Sequence, residues 1–391
     1  MKWILLLVFG FVEDSYARPE YALRNNIVNC STCHTSPVGG GFRNRAGTFY
    51  GAHGYKLSPI TEKSEWFHLD YRAEAFQAKN ASTRKGLLTM TTTPAVNIPF
   101  QFDKESPPEM NFVASYGLGR LETGLGYAYV RYNLNNSNKW IEHVIFGRFN
   151  VPFGLITDEH RAFTKISVPT STRDYEMGFL MSGTPSYTFH YDIAATSGKQ
   201  GDMPAVDDSP WALYASTRYM PRLGPVMAGL SYSRHGTQTV NIQPEAYNLY
   251  AMFSIEKLTT YKLPIILIAE MQWAHGWNND AINSQMSNFI PGSLSSYQDA
   301  IDDSRSETLL LELDWNITRK FTSLYRYEEF IPDSRYSADK FKRHSFGFKY
   351  FLNGHSSLLA RFENGYSKKP GMTEDVRSVG TATYILYHLW L

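Results

Sequence analysis

Much of the chain alternates between apolar and polar positions, and this alternation predicts β-strands. In residues 66–77, Phe67, Leu69 and Tyr71 share one face, while His68 and Asp70 share the other. Successive side chains of a strand point to opposite faces, so such a segment has one apolar and one polar surface. A soluble β-sandwich would bury the apolar row and a membrane barrel would turn it towards lipid, so one strand does not separate these folds.

The number of such segments favours a barrel. Similar alternation occurs at residues 187–193, 226–233, 308–317, 345–352 and 381–391. With weaker examples we expect about 16 strands, with about 14 as the alternative, because an even number of strands closes without exposed edges. The sequence therefore predicts a mostly β fold, in which residues 63–391 form a transmembrane antiparallel β-barrel.

The connections between these segments also fit an outer-membrane barrel. Polar turns are short at residues 135–138 and 352–354, whereas residues 277–306 form a long polar stretch without periodicity. Outer-membrane barrels have short periplasmic turns and longer outer loops. The chain ends in Leu391 after Trp390, which departs from the aromatic last residue usual in barrels of this membrane.

The composition is rich in aromatic residues, with 26 Tyr, 24 Phe and 8 Trp. Trp66, Trp140, Tyr219 and Trp390 lie near predicted strand ends, where a barrel places aromatic girdles. The alternative is ordinary aromatic packing in a soluble β core. Lys+Arg 38 and Asp+Glu 37 leave a formal net charge of +1, so charge indicates no nucleic-acid partner.

The first residues have the pattern of an export signal. Lys2 is followed by an apolar stretch over residues 4–12 and by the small-residue cleavage pattern at residues 15–17. We therefore expect a signal peptide over residues 1–17 and a mature chain that begins near Arg18. An uncleaved anchor helix is the alternative, but the apolar stretch is about half of the ~20 residues that a spanning helix needs.

The only two cysteines lie just after this signal, in the sequence Cys30-Ser31-Thr32-Cys33-His34. This C-x-x-C-H pattern is typical of covalent haem c attachment. The two thiols form thioethers with one porphyrin, and the adjacent imidazole is the proximal iron ligand. A disulfide is the simpler alternative in an exported protein, whereas a zinc site would need more ligands. We expect residues 18–62 to form a loop-rich, short-helix, cytochrome c-like segment that binds one haem c through Cys30, Cys33 and His34.

The distal iron ligand is less defined. His53 is the first candidate metal ligand, because it follows the motif closely enough to fold back over the ring. Met90 is the thioether alternative, and Met110 and His68 are further options. The other interpretation of His53 is a turn residue exposed to water.

These residues resemble the fused cytochrome-porin family of outer-membrane electron-transfer proteins. The resemblance covers an N-terminal part, residues 17–22, 30–34, 42–47 and 51–55, and a porin-type part, residues 147–155 followed by 158–161. It implies a haem segment in the lumen or at the periplasmic side of an outer-membrane barrel, carrying electrons between the cell surface and the periplasm. Members with an assigned role are associated with oxidation of extracellular Fe(II).

The resemblance also implies partners. One haem is much smaller than the ~30 Å hydrocarbon thickness, so we expect a periplasmic electron carrier, such as a soluble cytochrome, to dock at the inner mouth. The acidic pairs Asp207/Asp208 and Asp302/Asp303 could bind Fe(II), but we interpret them as solvated loop residues. The protein is then an electron-transfer protein and a candidate iron-oxidising oxidoreductase.

Two other functions remain open from the sequence. The first is a passive porin in which haem is only a structural plug. The second is an exported soluble haem enzyme on a β-sandwich. No Ser-His-Asp, zinc or phosphate-loop pattern indicates a hydrolase.

Overall fold

The fold is a closed antiparallel β-barrel. The computed structural model describes residues 22, 25, 27–34, 66–78, 87–100, 110–119, 123–134, 140–155, 162–168, 170, 174–198, 211–221, 224–236, 243–258, 263–277, 305–318, 320–331, 334, 340–353, 356–367 and 377–390. In these residues, sixteen strands pair with their neighbours in sequence, and β1 pairs with β16 to close the sheet. The prediction of a sixteen-stranded barrel is confirmed, and the β-sandwich alternative is wrong.

The strands and helices have the following bounds: β1 Phe67–Ala78, β2 Leu87–Phe100, β3 Met110–Leu118, β4 Thr123–Asn133, β5 His143–Asn150, β6 Tyr175–Ser186, β7 Phe189–Thr196, β8 Ala212–Tyr219, β9 Val226–His235, β10 Glu245–Ser254, β11 Ile265–His275, β12 Arg305–Asn316, β13 Phe321–Ile331, β14 Phe341–Asn353, β15 Ser356–Ser367, β16 Arg377–Trp390, α1 Phe163–Ile166, α2 Ile255–Leu258 and a 3-10 turn Cys30–Thr32. Within the described part of the chain, neither α-helix has the length and apolar character needed to cross a membrane.

Alternation along each strand separates an outer face from the lumen. In β11, Leu267 and Met271 are exposed on the outside, while Ile268 and Glu270 are buried and face the lumen. The outer face therefore carries large exposed apolar side chains, the reverse of a water-soluble protein. Such a surface is expected where a barrel faces lipid.

The two ends of the barrel differ in their connections. At one end, β6 and β7 are joined by residues 187–188 and β14 and β15 by residues 354–355. At the other end, the connections include residues 151–174 and 276–304. We call these the short-turn end and the long-loop end. Strand β1 starts and β16 finishes at the short-turn end, which corresponds to the periplasmic side in outer-membrane barrels.

Two local predictions were wrong. Tyr187 was predicted as a strand residue, but it lies in the two-residue turn before β7, where the alternating pattern continues through a tight hairpin. Trp390 was predicted in an outer girdle, but it is buried on the lumen side of β16 and packs against His388 at 4.8 Å between ring centroids. Trp66 and Trp140 are exposed, as a girdle requires.

Candidate functional site

Both cysteines and the following histidine lie on one short turn, which we call the cysteine turn (residues 30–34). The backbone amides of Cys33 and His34 donate hydrogen bonds to the carbonyl oxygen of Cys30, at 3.1 and 2.9 Å. The two thiols are not joined by a disulfide. Two thiols on one turn, with an adjacent imidazole, are the donor set that a covalently bound haem requires. The residues present therefore fit a haem c.

The residue before this turn is bonded to the barrel wall. The Asn29 side-chain amide donates to Glu142 Oε2 at 2.8 Å and to Thr184 Oγ1 at 3.3 Å. Glu142 lies just before β5, and Thr184 lies near the end of β6, so both are at the short-turn end. The cysteine turn is thus attached to the wall at the short-turn end of the barrel, where β1 begins.

Arg218 of β8 holds the other side of the turn. Its guanidinium donates through Nη1 to Cys30 Sγ and through Nη2 to Asp192 Oδ2, the latter at 2.8 Å. Burial raises the pKa of the Cys30 thiol, although the positive charge of Arg218 acts in the opposite direction. The sulfur of the first cysteine therefore lies beside a cation that is itself paired with a carboxylate.

A chain of hydrogen bonds joins these two anchors. His190 Nε2 lies 3.0 Å from Asp192 Oδ1, and its Nδ1 lies 2.9 Å from Thr184 Oγ1. Thr184 in turn donates to Glu142 Oε2 at 2.8 Å. Since Asn29 and Cys30 are consecutive residues, this series of hydrogen bonds forms a closed ring. We call it the polar ring, and its members are Asn29, Cys30, Glu142, Thr184, His190, Asp192 and Arg218.

An apolar patch adjoins the polar ring on the lumen side of β9 to β12. Val28 packs into a buried cluster with these strands; its other members are Ala22, Leu155, Ala162, Met220, Met227, Tyr250, Met252, Ile266, Ile268 and Leu310. Barrel lumens are usually polar. Val28, two residues before Cys30, packs against this apolar patch. Burial of the apolar surface opposes release of the cysteine turn into water.

A second segment folds into the lumen from the long-loop end. This inward segment comprises residues 151–155 and 162–168, and it is bonded to Glu270 of β11. The Leu155 amide donates to Glu270 Oε1 at 2.8 Å, and Lys165 Nζ lies 3.3 Å from the same oxygen. The Phe163 amide donates to Glu328 Oε1 of β13 at 2.9 Å. Residues from both ends of the barrel thus enter its lumen.

The other predicted ligands lie elsewhere. Met90 is the fourth residue of β2, at the long-loop end and away from the cysteine turn. Met110 is the first residue of β3 and lies on the outer face. His68 is buried at the short-turn end of β1. His53, the signal peptide and both acidic pairs lie outside the described residues. Within the described residues, no group of three or more His, Cys, Asp or Glu side chains could hold a metal ion.

Sequence reasoning missed the members of the polar ring on the barrel wall. Glu142, the His190–Asp192 pair and Arg218 are widely separated in sequence, and they meet because β5 to β8 are neighbours in the sheet. The one local signal is polarity: His190 and Asp192 both occupy the polar row of an alternating strand.

Comparison with known proteins supports the barrel alone. No family model and no curated protein sequence matches the chain. The outer membrane channel DcaP of Acinetobacter baumannii aligns with TM-score 0.58 and 13% identity, over 83% of this chain and 96% of that one. This chain has a porin-like outer-membrane β-barrel fold. OprB of Pseudomonas putida has the same fold, with TM-score 0.57 and 9% identity over 83% of this chain and 94% of that one. A loop-deletion mutant of OmpT of Vibrio cholerae also has it, with TM-score 0.57 and 9% identity over 83% of this chain and 98% of that one.

Proposed function

We propose that this protein is an outer-membrane electron-transfer protein that carries one haem c at the periplasmic mouth of a porin-like barrel. Cys30 and Cys33 would hold the porphyrin, and His34 would be the proximal iron ligand. The observation that carries the proposal is the position of the cysteine turn, which is bonded to the barrel wall at the short-turn end through Asn29 and Arg218. A haem bound there would supply a one-electron carrier at the mouth of the barrel.

The barrel contributes an environment that lipid cannot. Its wall satisfies the backbone hydrogen bonds within the sheet, so polar side chains can surround a charged centre at the level of the bilayer. The signal peptide predicted for residues 1–17 would deliver the chain to the compartment where haem is attached. A soluble cytochrome at the short-turn end is the proposed periplasmic partner, and extracellular Fe(II) is the proposed donor.

We propose His53 as the distal ligand, and the positions of the two methionines support this choice. Met110 lies on the outer face, and Met90 lies towards the opposite end of the barrel from the cysteine turn. His53, which follows the cysteine turn in sequence, therefore remains the proposed distal ligand. His68, at the short-turn end of β1, is the second choice.

A passive porin is the second candidate, favoured by the porin-like fold. The lumen supports the first candidate instead, because several of its charged side chains are almost completely covered. Glu270 is 1% exposed, Arg326 2% and Arg343 5%. In an open, water-filled channel such side chains would line the solvent, so their cover favours an obstructed lumen over an open pore for solutes.

The proposal is tested in liposomes that enclose an oxidised soluble c-type cytochrome, with an impermeant Fe(II) chelate added outside. The parent protein is expected to reduce the enclosed cytochrome, and a Cys30→Ala/Cys33→Ala variant that still forms a heat-modifiable barrel is expected not to. Equal reduction by both proteins, or a mature chain whose mass lacks a porphyrin, would show that the proposal is wrong. Liposome swelling in neutral sugars tests the passive porin with the same preparations.

A further inference from the structure

Arg218 connects the cysteine turn to a buried carboxylate of the wall. Its Nη1 donates to Cys30 Sγ, and its Nη2 donates to Asp192 Oδ2 at 2.8 Å. Ser182 and His190 bind the other carboxylate oxygen, Oδ1. The two charged side chains are therefore fixed from several directions.

The surroundings of Arg218 leave room for this arrangement. Arg218 is opposite Gly229 of β9, and Gly229 is opposite Tyr250 of β10. A Cβ at Gly229 would lie 2.2 Å from Tyr250 Cζ, so the missing side chain provides the space into which the Tyr250 ring leans. Cys30 of the cysteine turn and Asp192 of β7 bind the Arg218 guanidinium, and His190 of β7 lies opposite Arg218 in the sheet. On the other side, the Tyr250 ring of β10 occupies the space beside Gly229.

Buried charges act strongly on their neighbours. Arg218 is 7% exposed and Asp192 is 1% exposed. The effective dielectric constant is lower inside a protein than in water, and salt screens a buried pair much less than a surface pair. A charge in this position therefore affects any redox centre beside it far more than an equal charge on a loop would.

We propose that Arg218 and Asp192 position the haem and set its reduction potential, an inference that rests on the proposed function. Attachment would add the S–H of Cys30 across a porphyrin vinyl group: the S–H bond and the vinyl π bond would break, and a C–S and a C–H bond would form, without net oxidation. The sulfur that Arg218 contacts would then be bonded to the porphyrin edge. Oxidised haem carries one more positive charge than reduced haem, so the Arg218 cation favours the reduced form and the Asp192 anion favours the oxidised form.

The two charges therefore predict opposite effects. Arg218→Gln is expected to lower the reduction potential, and Asp192→Asn is expected to raise it. Arg218→Lys retains the charge and is expected to stay closer to the parent than Arg218→Gln. If the two residues only stabilised the fold, their substitutions would not shift the reduction potential in opposite directions.

The test is a redox titration of the visible haem spectrum of the purified, full-length protein and its variants. Arg326→Gln is the matched control, because Arg326 of β13 is also buried and paired with a carboxylate, Glu312, outside the polar ring. Its potential is expected to equal that of the parent. Shifts of the same sign at Arg218 and Asp192, or an equal shift in Arg326→Gln, would overturn the inference. If Arg218→Gln does not fold, the isosteric Asp192→Asn decides alone, since it must raise the potential.

A pyridine haemochrome assay separates failure of the inference from failure of the proposed function. A parent protein without covalent haem contradicts both. A parent with one covalent haem, whose potential is the same in the Arg218 and Asp192 variants, contradicts only the inference.

Discussion

Asn29 Nδ2 lies 2.8 Å from Glu142 Oε2, which joins the chain before the first cysteine to the barrel wall across 113 positions of sequence. The same side chain also reaches Thr184. The cysteine turn is therefore fixed at the short-turn mouth by side-chain hydrogen bonds as well as by the apolar contacts of Val28.

Asn29→Ala is expected to loosen the cysteine turn. A hydrogen bond to a charged acceptor contributes about 1.5–3 kcal/mol, and its loss favours release of the turn from the wall. Faster amide hydrogen exchange at residues 30–34, measured by mass spectrometry, is the expected result. Glu142→Gln is the matched control, because its amide oxygen can still accept from Asn29, and exchange there should rise less. Equal exchange in the parent and Asn29→Ala would contradict this role.

Gly154→Ala is expected to destabilise the inward segment. Gly154 has φ +65°, and a Cβ would lie 2.7 Å from Glu270 Oε1 and 3.0 Å from Lys165 Nζ. The left-handed backbone alone costs a non-glycine residue about 1–2 kcal/mol, and the contact with buried charged groups adds to this. The free energy of unfolding, measured by urea titration in lipid vesicles, should fall.

Gly124→Ala is the control for this substitution. Gly124 also has positive φ, +96°, but among the residues that the structure describes a Cβ there would meet no atom within 4 Å. Its loss of stability should therefore reflect backbone strain alone and be smaller than that of Gly154→Ala. Equal losses would show that Glu270 and Lys165 do not restrict the space at Gly154.

The barrel could be predicted from sequence because its pattern is local. Each strand needs only a period of two, which residues 66–77 display without reference to any partner. The same rule failed at Tyr187, because a two-residue turn preserves the alternation. It was also uninformative for residues 265–268, where Ile266 and Ile268 are apolar on the lumen side because Val28 and the inward segment cover them.

The cysteine turn was likewise readable from the sequence, since its spacing is contained within five residues. Arg218 and Asp192 were not, because their pairing depends on the register of β7 against β8, which sets Asp192 opposite Ser216 and His190 opposite Arg218. Alternation identifies such residues as lumen-facing, but it does not state which segment will contact them.

Glu270→Ala is expected to open the lumen. Glu270 accepts hydrogen bonds from Leu155 and Thr164 and pairs with the buried Lys165. Removing one partner of a buried ion pair costs about 3–5 kcal/mol, because the other charge is left unpaired. The inward segment should leave its site, and single-channel conductance in planar bilayers should rise above that of the parent.

Glu329→Ala is the control for conductance. Glu329 is also paired with a lysine, at 2.5 Å from Lys340, but it lies on the outer face of β13. Its loss should leave conductance unchanged. A parent protein that conducts as well as Glu270→Ala would mean that the inward segment does not obstruct the lumen.

Leu249→Arg is expected to destabilise the barrel in a membrane. Leu249 lies in the middle of β10 with 47% of its surface exposed on the outer face, where lipid is expected. A cation near the bilayer midplane costs about 2–4 kcal/mol, compared with about 0–1 kcal/mol near the interface. Tyr219→Arg is the control, since Tyr219 is equally outward but is the last residue of β8. The free energy of unfolding in phosphatidylcholine vesicles should fall for Leu249→Arg and change little for Tyr219→Arg, whereas equal values for the two variants would mean that the outer face of β10 does not lie at the centre of a bilayer.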